Sequence, residues 1–277
     1  MRMNLSAVLF APLLALPLAC SALAQQGTPR TEVVTVAVRP SATMRYLGVT
    51  TGVPPKAAVI LLAGGNGALR LDTGGAIGSD LGLNFLVRSR AQFAREGFYV
   101  ATLDAASDHQ KGMNGQTRLS QQYADDLAKV IADVKKRARV PVWVIGTSAG
   151  TLSAANAGAR LSRGEAGPQG IVLTSTMTQL DAAGHCGKSV YDAGLASISV
   201  PVLVVSHRDD GCACSPGTPA AGSKLIAALS GSRAKEHKIF TGGNPPVSGP
   251  CDARAQHGFF GLEAGVVKTI ADWIKSH

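Results

Sequence analysis

The sequence predicts an α/β protein with a mostly parallel central sheet and helices on both faces. Two observations predict this fold class. From residue 57 onward, apolar runs of strand length alternate with longer segments of helical character. This alternation is typical of parallel strands joined by helical crossovers. In addition, the apolar run at 142–146 leads into Gly-Thr-Ser-Ala-Gly at 146–150 and then into a small-residue helical segment, which predicts a strand, a tight turn and a helix.

The first 24 residues are predicted to be a secretory leader and not part of the fold. Arg2 precedes an apolar stretch at 7–19, and Ala22-Leu23-Ala24 forms a small-residue cleavage site. Cys20 offers an alternative, a lipid attachment site, although the residues before it fit such a site poorly. The predicted organisation is a leader at 1–24 and a single domain at 25–277, in a periplasmic or secreted protein.

The composition excludes several classes of protein. Of 277 residues, 45% are hydrophobic and 16% are charged, which favours a large globular core over a coiled coil or a disordered chain. The net charge is +9, but its densest run, at 135–139, closes a predicted helix, where cations suit the helix dipole. No nucleic-acid motif accompanies it. We therefore expect a small-molecule substrate, no nucleic acid and no transmembrane segment, and the oligomeric state stays open.

The predicted elements follow one another in a simple order. Two strands at the start pair antiparallel, and buried strands then alternate with helices. The strands are expected at 31–38, 44–50, 57–62, 98–103, 142–146, 171–174, 200–205 and 237–240, and the helices at 84–96, 119–134, 152–159, 216–229 and 261–274. Glycine-rich or polar loops fill 63–83 and 104–116. The segment between the strands at 171 and 200 is of ordinary crossover length, so it leaves no room for a large cap domain.

Ser148 stands at the tip of the predicted strand–turn–helix unit. In this context G-x-S-x-G indicates a nucleophile elbow, in which a sharp turn lifts the serine hydroxyl clear of the sheet. Glycines at 146 and 150 avoid collisions with the strand and the helix. The alternative is an ordinary glycine-rich turn, since the pentapeptide by itself is a weak pattern.

A serine nucleophile needs a base and a group that orients the base. The strand at 200–205 is followed by two acids, Asp209 and Asp210, and we favour Asp210 because it can fold back over the sheet edge. A solvated turn carboxylate is the alternative. His257 follows the last strand and precedes the last helix, so it is the predicted base, and His109 lies in a loop at the same edge, where it could touch substrate.

The same edge offers backbone donors for a developing oxyanion. One predicted donor is the N–H of Ala149, which follows the nucleophile, and the other is the N–H of Gly65 or Asn66 in the loop after the strand at 57–62. A flexible turn is the alternative interpretation of that glycine-rich loop.

These residues, in this order, resemble the α/β-hydrolase superfamily, in its compact branch of small bacterial esterases and dienelactone-hydrolase-like proteins. The resemblance covers about residues 57–277. It rests on Gly-Gly-Asn-Gly at 64–67, Gly-Thr-Ser-Ala-Gly at 146–150, Asp210 and His257-Gly-Phe. It implies an α/β-hydrolase fold without a large cap, with Ser148 attacking an acyl carbonyl, His257 shuttling the proton, Asp210 holding the imidazole and no cofactor.

Two positions depart from that pattern. Ala63 stands where a histidine is common before the oxyanion glycine, and the nucleophile is serine, whereas dienelactone hydrolases proper use cysteine. The dienelactone substrate is therefore in doubt. The sequence predicts an exported serine hydrolase that cleaves carboxylic esters. A peptidase, a lactonase or an acyltransferase would use the same residues, and a non-catalytic binding protein with this fold is the competing class.

The cysteines fit the same layout. Cys186, Cys212, Cys214 and Cys251 remain after the leader, an even number that suggests disulfides in an exported protein. A Cys212–Cys251 bridge would tie the acid loop to the histidine loop, which leaves Cys186 with Cys214. Zinc is the alternative for Cys212 and Cys214 with His185 or His207, but the spacing matches no zinc pattern, so no metal is predicted. A relaxed phosphate-loop match at 182–189 is interpreted as an ordinary loop.

Overall fold

The computed structural model describes residues 28–180 and 186–277, so the predicted leader and His185 lie outside the described residues. Eight strands form one sheet in the order β1-β2-β4-β3-β5-β6-β7-β8. Strands β1 and β2 pair antiparallel, as does β2 with β4, and the remaining pairs are parallel. The strands are β1 Arg30–Arg39, β2 Ala42–Thr50, β3 Ala57–Leu62, β4 Phe98–Leu103, β5 Val142–Thr147, β6 Gly170–Thr174, β7 Val202–His207 and β8 Lys235–Phe240.

Helices cover both faces of the sheet. They are α1 Phe85–Arg95, α2 Gly115–Arg118, α3 Gln121–Ala138, α4 Gly150–Leu161, α5 Pro219–Ala228 and α6 Glu263–Ser276. Buried residues of α3, α4 and α5 form one apolar cluster with one face of the sheet, and those of α1 and α6 form another with the opposite face. Strands β3, β4, β5, β6 and β7 are buried along their whole length, which explains their continuous apolar sequences.

Several boundaries differ from the predictions. Strand β7 runs two residues further than expected, to His207, because Ser206 and His207 pair with Ile239 and Phe240 of β8. Helix α5 begins only at Pro219, since the Thr218 hydroxyl accepts a hydrogen bond from the Ala221 N–H and caps it.

Helix α3 also begins later than predicted. The Ser120 hydroxyl accepts a hydrogen bond from the Tyr123 N–H, and Leu119 instead ends the short helix α2. Of the segment between β6 and β7, the described part contains two short 3-10 helices, Val190–Ala193 and Leu195–Ser197, and no large cap. Within the described residues, no helix has the length and apolar character that crossing a bilayer requires.

Asp104 fixes the loop that follows β3. Its side chain is buried at the end of β4 and accepts hydrogen bonds from the N–H groups of Leu69 at 2.7 Å, Arg70 at 3.2 Å and Leu71 at 2.9 Å. Arg70 consequently adopts a positive φ of 53°. The loop at 68–83, expected to be irregular, also contains a 3-10 helix at Asp80–Leu83. One buried carboxylate thus anchors the start of the wall beside the predicted active site.

Candidate active site

Ser148 occupies a strained turn between β5 and α4. Its φ is +52°, in the left-handed region that non-glycine residues rarely adopt. Hydrogen bonds on both sides hold it there: its N–H donates to the Thr174 carbonyl at 3.0 Å, and its carbonyl accepts from the Thr151 hydroxyl at 2.6 Å. The turn leaves the Ser148 side chain half-buried at the carboxyl edge of the sheet.

Close backbone packing around this turn explains its glycines. A Cβ atom at Gly146 would overlap the carbonyl of Gly150, and one at Gly150 would overlap the carbonyl of Leu62 at the end of β3. A Cβ at Gly64 would lie 2.8 Å from that of Ser148. The glycine-rich loop after β3 therefore approaches Ser148 directly, as an elbow geometry requires.

His257 and Asp210 are in direct contact. The Nδ1 atom of His257 lies 2.9 Å from Oδ2 of Asp210, and the Asp210 side chain is fully buried. The second carboxylate oxygen accepts the Cys212 N–H at 2.9 Å, which fixes the orientation of the carboxylate. Nε2 of His257 is buried and has no hydrogen-bond partner within 28–180 and 186–277. Asp209 is exposed instead, so the geometry selects Asp210 as the neighbour of the imidazole.

The loop that carries His257 is held by residues that sequence reasoning missed. The Ser175 hydroxyl donates to the His257 carbonyl at 2.7 Å. Arg88 donates to the Gly258 carbonyl at 2.6 Å and to Glu263 at 2.7 Å. These contacts join residues far apart in the chain, so no local sequence pattern could reveal them.

Backbone donors converge near Ser148. The loop after β3 turns through a hydrogen bond from the Gly67 N–H to the Gly64 carbonyl at 3.1 Å, and Gly65 has a φ of +55°. The N–H groups of Gly65, Asn66 and Ala149 donate no hydrogen bond to any residue that the structure describes. They are thus available to a ligand, and Ala149 also lies at the positive end of the α4 dipole.

Ser148 and His257 line one cavity of about 200 Å³. Its walls come from the glycine-rich loop after β3, the 3-10 helix Asp80–Leu83, the start of α1 and the segment at 251–253. Of that last segment, only Cys251 was predicted near the site. The other residues that line it are Gly65, Asp80, Leu81, Asn84, Phe85, Thr147, Cys251, Asp252, Ala253 and Gly258. A second cavity of about 230 Å³ also contacts Gly65 and Ala149 and has Met113, Leu152 and Met177 among its walls. The two cavities share Gly65 among their walls.

Two disulfides join the loops at this edge. Cys212 pairs with Cys251, and Cys186 pairs with Cys214. Cys212 lies two residues after Asp210, whereas Cys251 lines the cavity with His257. The first bridge therefore connects the acid loop to the base loop.

The other residues considered lie outside the cavity with Ser148. His109 is in the 3-10 helix Ser107–His109, and Nε2 of His207 lies 2.9 Å from the Gly242 carbonyl. In the described part of the chain, no three or more histidines, cysteines and acids are grouped so as to hold a metal ion. Of the phosphate-loop-like stretch, the described Ser189 caps the 3-10 helix Val190–Ala193.

Comparison with known proteins agrees with this architecture. A family profile described as serine aminopeptidase, S33, matches residues 84–215, a little under half of the chain. A search of curated protein sequences gives no match. The esterase Pf2001 of Pyrococcus furiosus is similar in structure, with a TM-score of 0.60 and 14% identity over 89% of this chain and 91% of that chain.

Two further solved structures show the same similarity. TT1662 from Thermus thermophilus has a TM-score of 0.54 at 18% identity, over 89% of this chain and 98% of that one. A cold-adapted esterase from an Arctic intertidal metagenomic library has a TM-score of 0.52 at 14% identity, over 88% of this chain and 93% of that chain. The predicted α/β-hydrolase fold is confirmed. With the family match, the predicted enzyme class, a serine hydrolase, is confirmed as well.

Proposed function

We propose that this protein cleaves carboxylic esters through an acyl-enzyme, with Ser148 as nucleophile, His257 as general base and Asp210 as the group that orients the imidazole. The observation that carries the proposal is the 2.9 Å contact between His257 Nδ1 and buried Asp210, with Ser148 in the same cavity. Because Nδ1 faces the carboxylate, Nε2 is the atom left to accept a proton.

The reaction would proceed in two halves. The Ser148 Oγ–H gives its proton to His257 Nε2 as Oγ bonds to the substrate carbonyl carbon, and the carbonyl oxygen takes up the negative charge. The N–H groups of Ala149 and of Gly65 or Asn66 would stabilise that oxyanion. Collapse breaks the carbon–oxygen ester bond, and the leaving alkoxide takes the proton from the imidazolium. Water then repeats the sequence on the acyl-enzyme and releases the acid and free Ser148.

The strained backbone of Ser148 favours catalysis over a purely binding role. A positive φ at a non-glycine residue costs free energy, and such strain clusters at functional sites. Esters are preferred as substrates since two of the similar structures described above are esterases. The family description names an aminopeptidase, so peptide substrates are the second candidate.

We also propose that the protein works outside the cytoplasm, in the periplasm or after secretion. The two disulfides support this location, because reducing compartments keep thiols reduced.

The test is activity against p-nitrophenyl esters of graded acyl length, together with labelling by a fluorophosphonate probe. Wild-type protein should turn over at least one ester and label once, whereas Ser148→Ala should do neither. Ser276→Ala, at the far end of α6, is the matched control and should behave as wild type. Labelling that survives Ser148→Ala would contradict the proposal.

The pH dependence gives a second test. A protonated imidazole cannot accept the Ser148 proton, so the proposal requires kcat/KM to be lower at acid pH than at neutral pH. A kcat/KM that did not fall at acid pH would contradict the role proposed for His257.

A further inference from the structure

Arg118 is a buried cation. Its side chain is 1% exposed, and no acid of the described residues forms an ion pair with it. Nη1 donates to the Ser153 hydroxyl at 3.1 Å, and Nε has no hydrogen-bond partner in the part of the chain that the structure describes. Burial lowers the pKa of the guanidinium below its ordinary value, because the charged form is poorly solvated there. A buried charge of this kind is costly unless something else requires it.

The other side-chain hydrogen bonds of Arg118 lie on residues 63–67, which carry the proposed donors of Gly65 and Asn66 and are called the oxyanion loop below. Nη2 donates to the carbonyls of Ala63 at 3.2 Å and Gly65 at 3.1 Å, one on each side of Gly64. A Cβ atom at Gly67 would come within 2.5 Å of Nη2, so the guanidinium is enclosed by the turn. Arg45 and Arg88 donate to carbonyls further along the chain, at Leu71 and Leu83, and not to residues 63–67.

These contacts determine the direction of the neighbouring N–H groups. The carbonyl and the N–H of a trans peptide point in opposite directions, and the described chain contains no cis peptide. Holding the Gly65 carbonyl against Arg118 therefore turns the Asn66 N–H away from the guanidinium. Arg118 therefore fixes the side of the loop to which the Asn66 N–H points.

We propose that Arg118 is a positioning residue of the oxyanion hole, and that its buried charge selectively stabilises the transition state. The inference rests on the proposed function. No carboxylate of residues 28–180 and 186–277 pairs with the guanidinium, whereas the tetrahedral transition state would place a negative oxygen on the other side of the same loop. Preorganised charge of this kind acts strongly in a site that excludes water.

The proposal predicts how the kinetic constants respond. An interaction that gains strength only in the transition state alters kcat and leaves KM nearly unchanged. The effect should also be the same for neutral and for charged acyl groups, since Arg118 acts through the loop and not on the acyl chain.

The experiment compares Arg118→Met, Arg118→Lys and the control Arg160→Met. Arg160 hydrogen-bonds to Asn156 and Gln121, away from the loop. Activity is measured per active site titrated with a fluorophosphonate, so misfolded protein does not count. We expect Arg118→Met to lower kcat about 10- to 100-fold with KM within about threefold, as for residues that orient a reacting group. Arg118→Lys should recover part of the loss, because it keeps the charge but not the planar donor fork.

Two ester substrates separate this role from substrate binding: p-nitrophenyl pentanoate and the p-nitrophenyl monoester of glutaric acid. An equal loss of kcat on both supports the proposal. A loss confined to the glutarate ester would make Arg118 a binding group for an acyl carboxylate and overturn it.

The remaining outcomes distinguish this inference from the proposed function. Unchanged kcat per titrated site in both Arg118 variants would overturn the inference while the proposed function stands. Absence of ester turnover by the wild type would overturn both. Should Arg118→Met yield no folded protein, Arg118→Lys and Ser153→Ala carry the test, and kcat unchanged in both would overturn the inference.

Discussion

The two sides of Ser148 are held in different ways. On one side, the oxyanion loop lies on the core, where glycine backbones pack closely and Arg118 is enclosed beneath the loop. On the other side, the His257 loop is connected to its surroundings by the buried Ser175 hydroxyl and by a disulfide and Arg88, the last two of which are partly exposed. The oxyanion loop is therefore fixed by core packing, whereas the His257 loop depends on links between loops.

This difference predicts where the site is most easily damaged. Core packing cannot be loosened without loss of stability, but a loop link can be cut in a protein that stays folded. Substitutions at residues that hold or orient His257 should lower activity in folded protein. The following experiments test this from the largest expected effect to the smallest.

The largest effect is expected at Asp210. In Asp210→Asn the carboxylate can no longer stabilise the imidazolium or hold the correct tautomer, and kcat should fall about 10,000-fold, as in other serine hydrolases with this change. Asp209→Asn is the matched control, since Asp209 is exposed, and should stay within about twofold of wild type. Steady-state kinetics on one p-nitrophenyl ester measure both, and an equal loss in the two variants would contradict the assignment.

The disulfides give a second comparison. The bridges span 39 residues for Cys212–Cys251 and 28 for Cys186–Cys214. Replacing either pair by serines should cost about 4 kcal/mol of unfolding free energy on chain-entropy grounds. Only the first replacement frees the His257 loop, so it should also lower kcat about tenfold or more.

Urea unfolding and ester kinetics on the two double variants measure these quantities side by side. Similar losses of stability with unequal losses of kcat would support the comparison. Equal kcat in the two variants would show that the Cys212–Cys251 link does not position the base.

A smaller effect is expected at Arg88. Arg88→Met removes the donor to the Gly258 carbonyl and the ion pair with Glu263, so His257 should be less well positioned and kcat should fall about tenfold. Lys268→Met, which breaks an exposed pair with Asp272 on the same helix, is the control and should leave kcat unchanged. Loss of stability without loss of kcat in Arg88→Met would make Arg88 merely structural.

The smallest effect concerns His237 of β8, which does not line the cavity with Ser148. Burial lowers its pKa below 6.5, so the unfolded chain binds more protons as the pH falls. Its contribution to stability is complete above about pH 6.5 and is lost on acidification below that value. His237→Gln should flatten this dependence by less than about 1 kcal/mol, because the ring is only half-buried. Denaturant titrations between pH 7 and 5 measure the unfolding free energy of both proteins. The same dependence on pH in His237→Gln and wild type would contradict the prediction.

Much of the fold could be predicted because its strands are buried along their whole length. Strands β3 and β4 match their predicted ranges residue for residue, since continuous apolar runs end at glycine or polar residues. The end of β7 was wrong by two residues because Ser206 and His207 join the sheet through pairing with β8, which local sequence does not reveal.

The site divides in the same way. The strained turn at Ser148 could be predicted, since such a turn demands nearby glycines. His257 and Asp210 were chosen from their order along the sheet edge, and the catalytic roles of all three residues stay predictions. The contacts of Arg118 and Arg88 could not be predicted, because both side chains donate to backbone carbonyls of distant loops. Every residue has a backbone carbonyl, so the sequence does not show which one is used.

The anchoring of the cavity wall by Asp104 has an evolutionary consequence. The carboxylate binds the N–H groups of residues 69–71 and no side chain of that segment, so the loop is held without regard to which amino acids follow. Descendants of this protein can exchange Asp80 and Leu81, which line the cavity, while the attachment persists, whereas the Asp72 side chain holds its own turn by accepting the N–H groups of Gly74 and Ala76. New substrates thus become reachable by changes in a single surface segment, and the reacting groups need not be rebuilt.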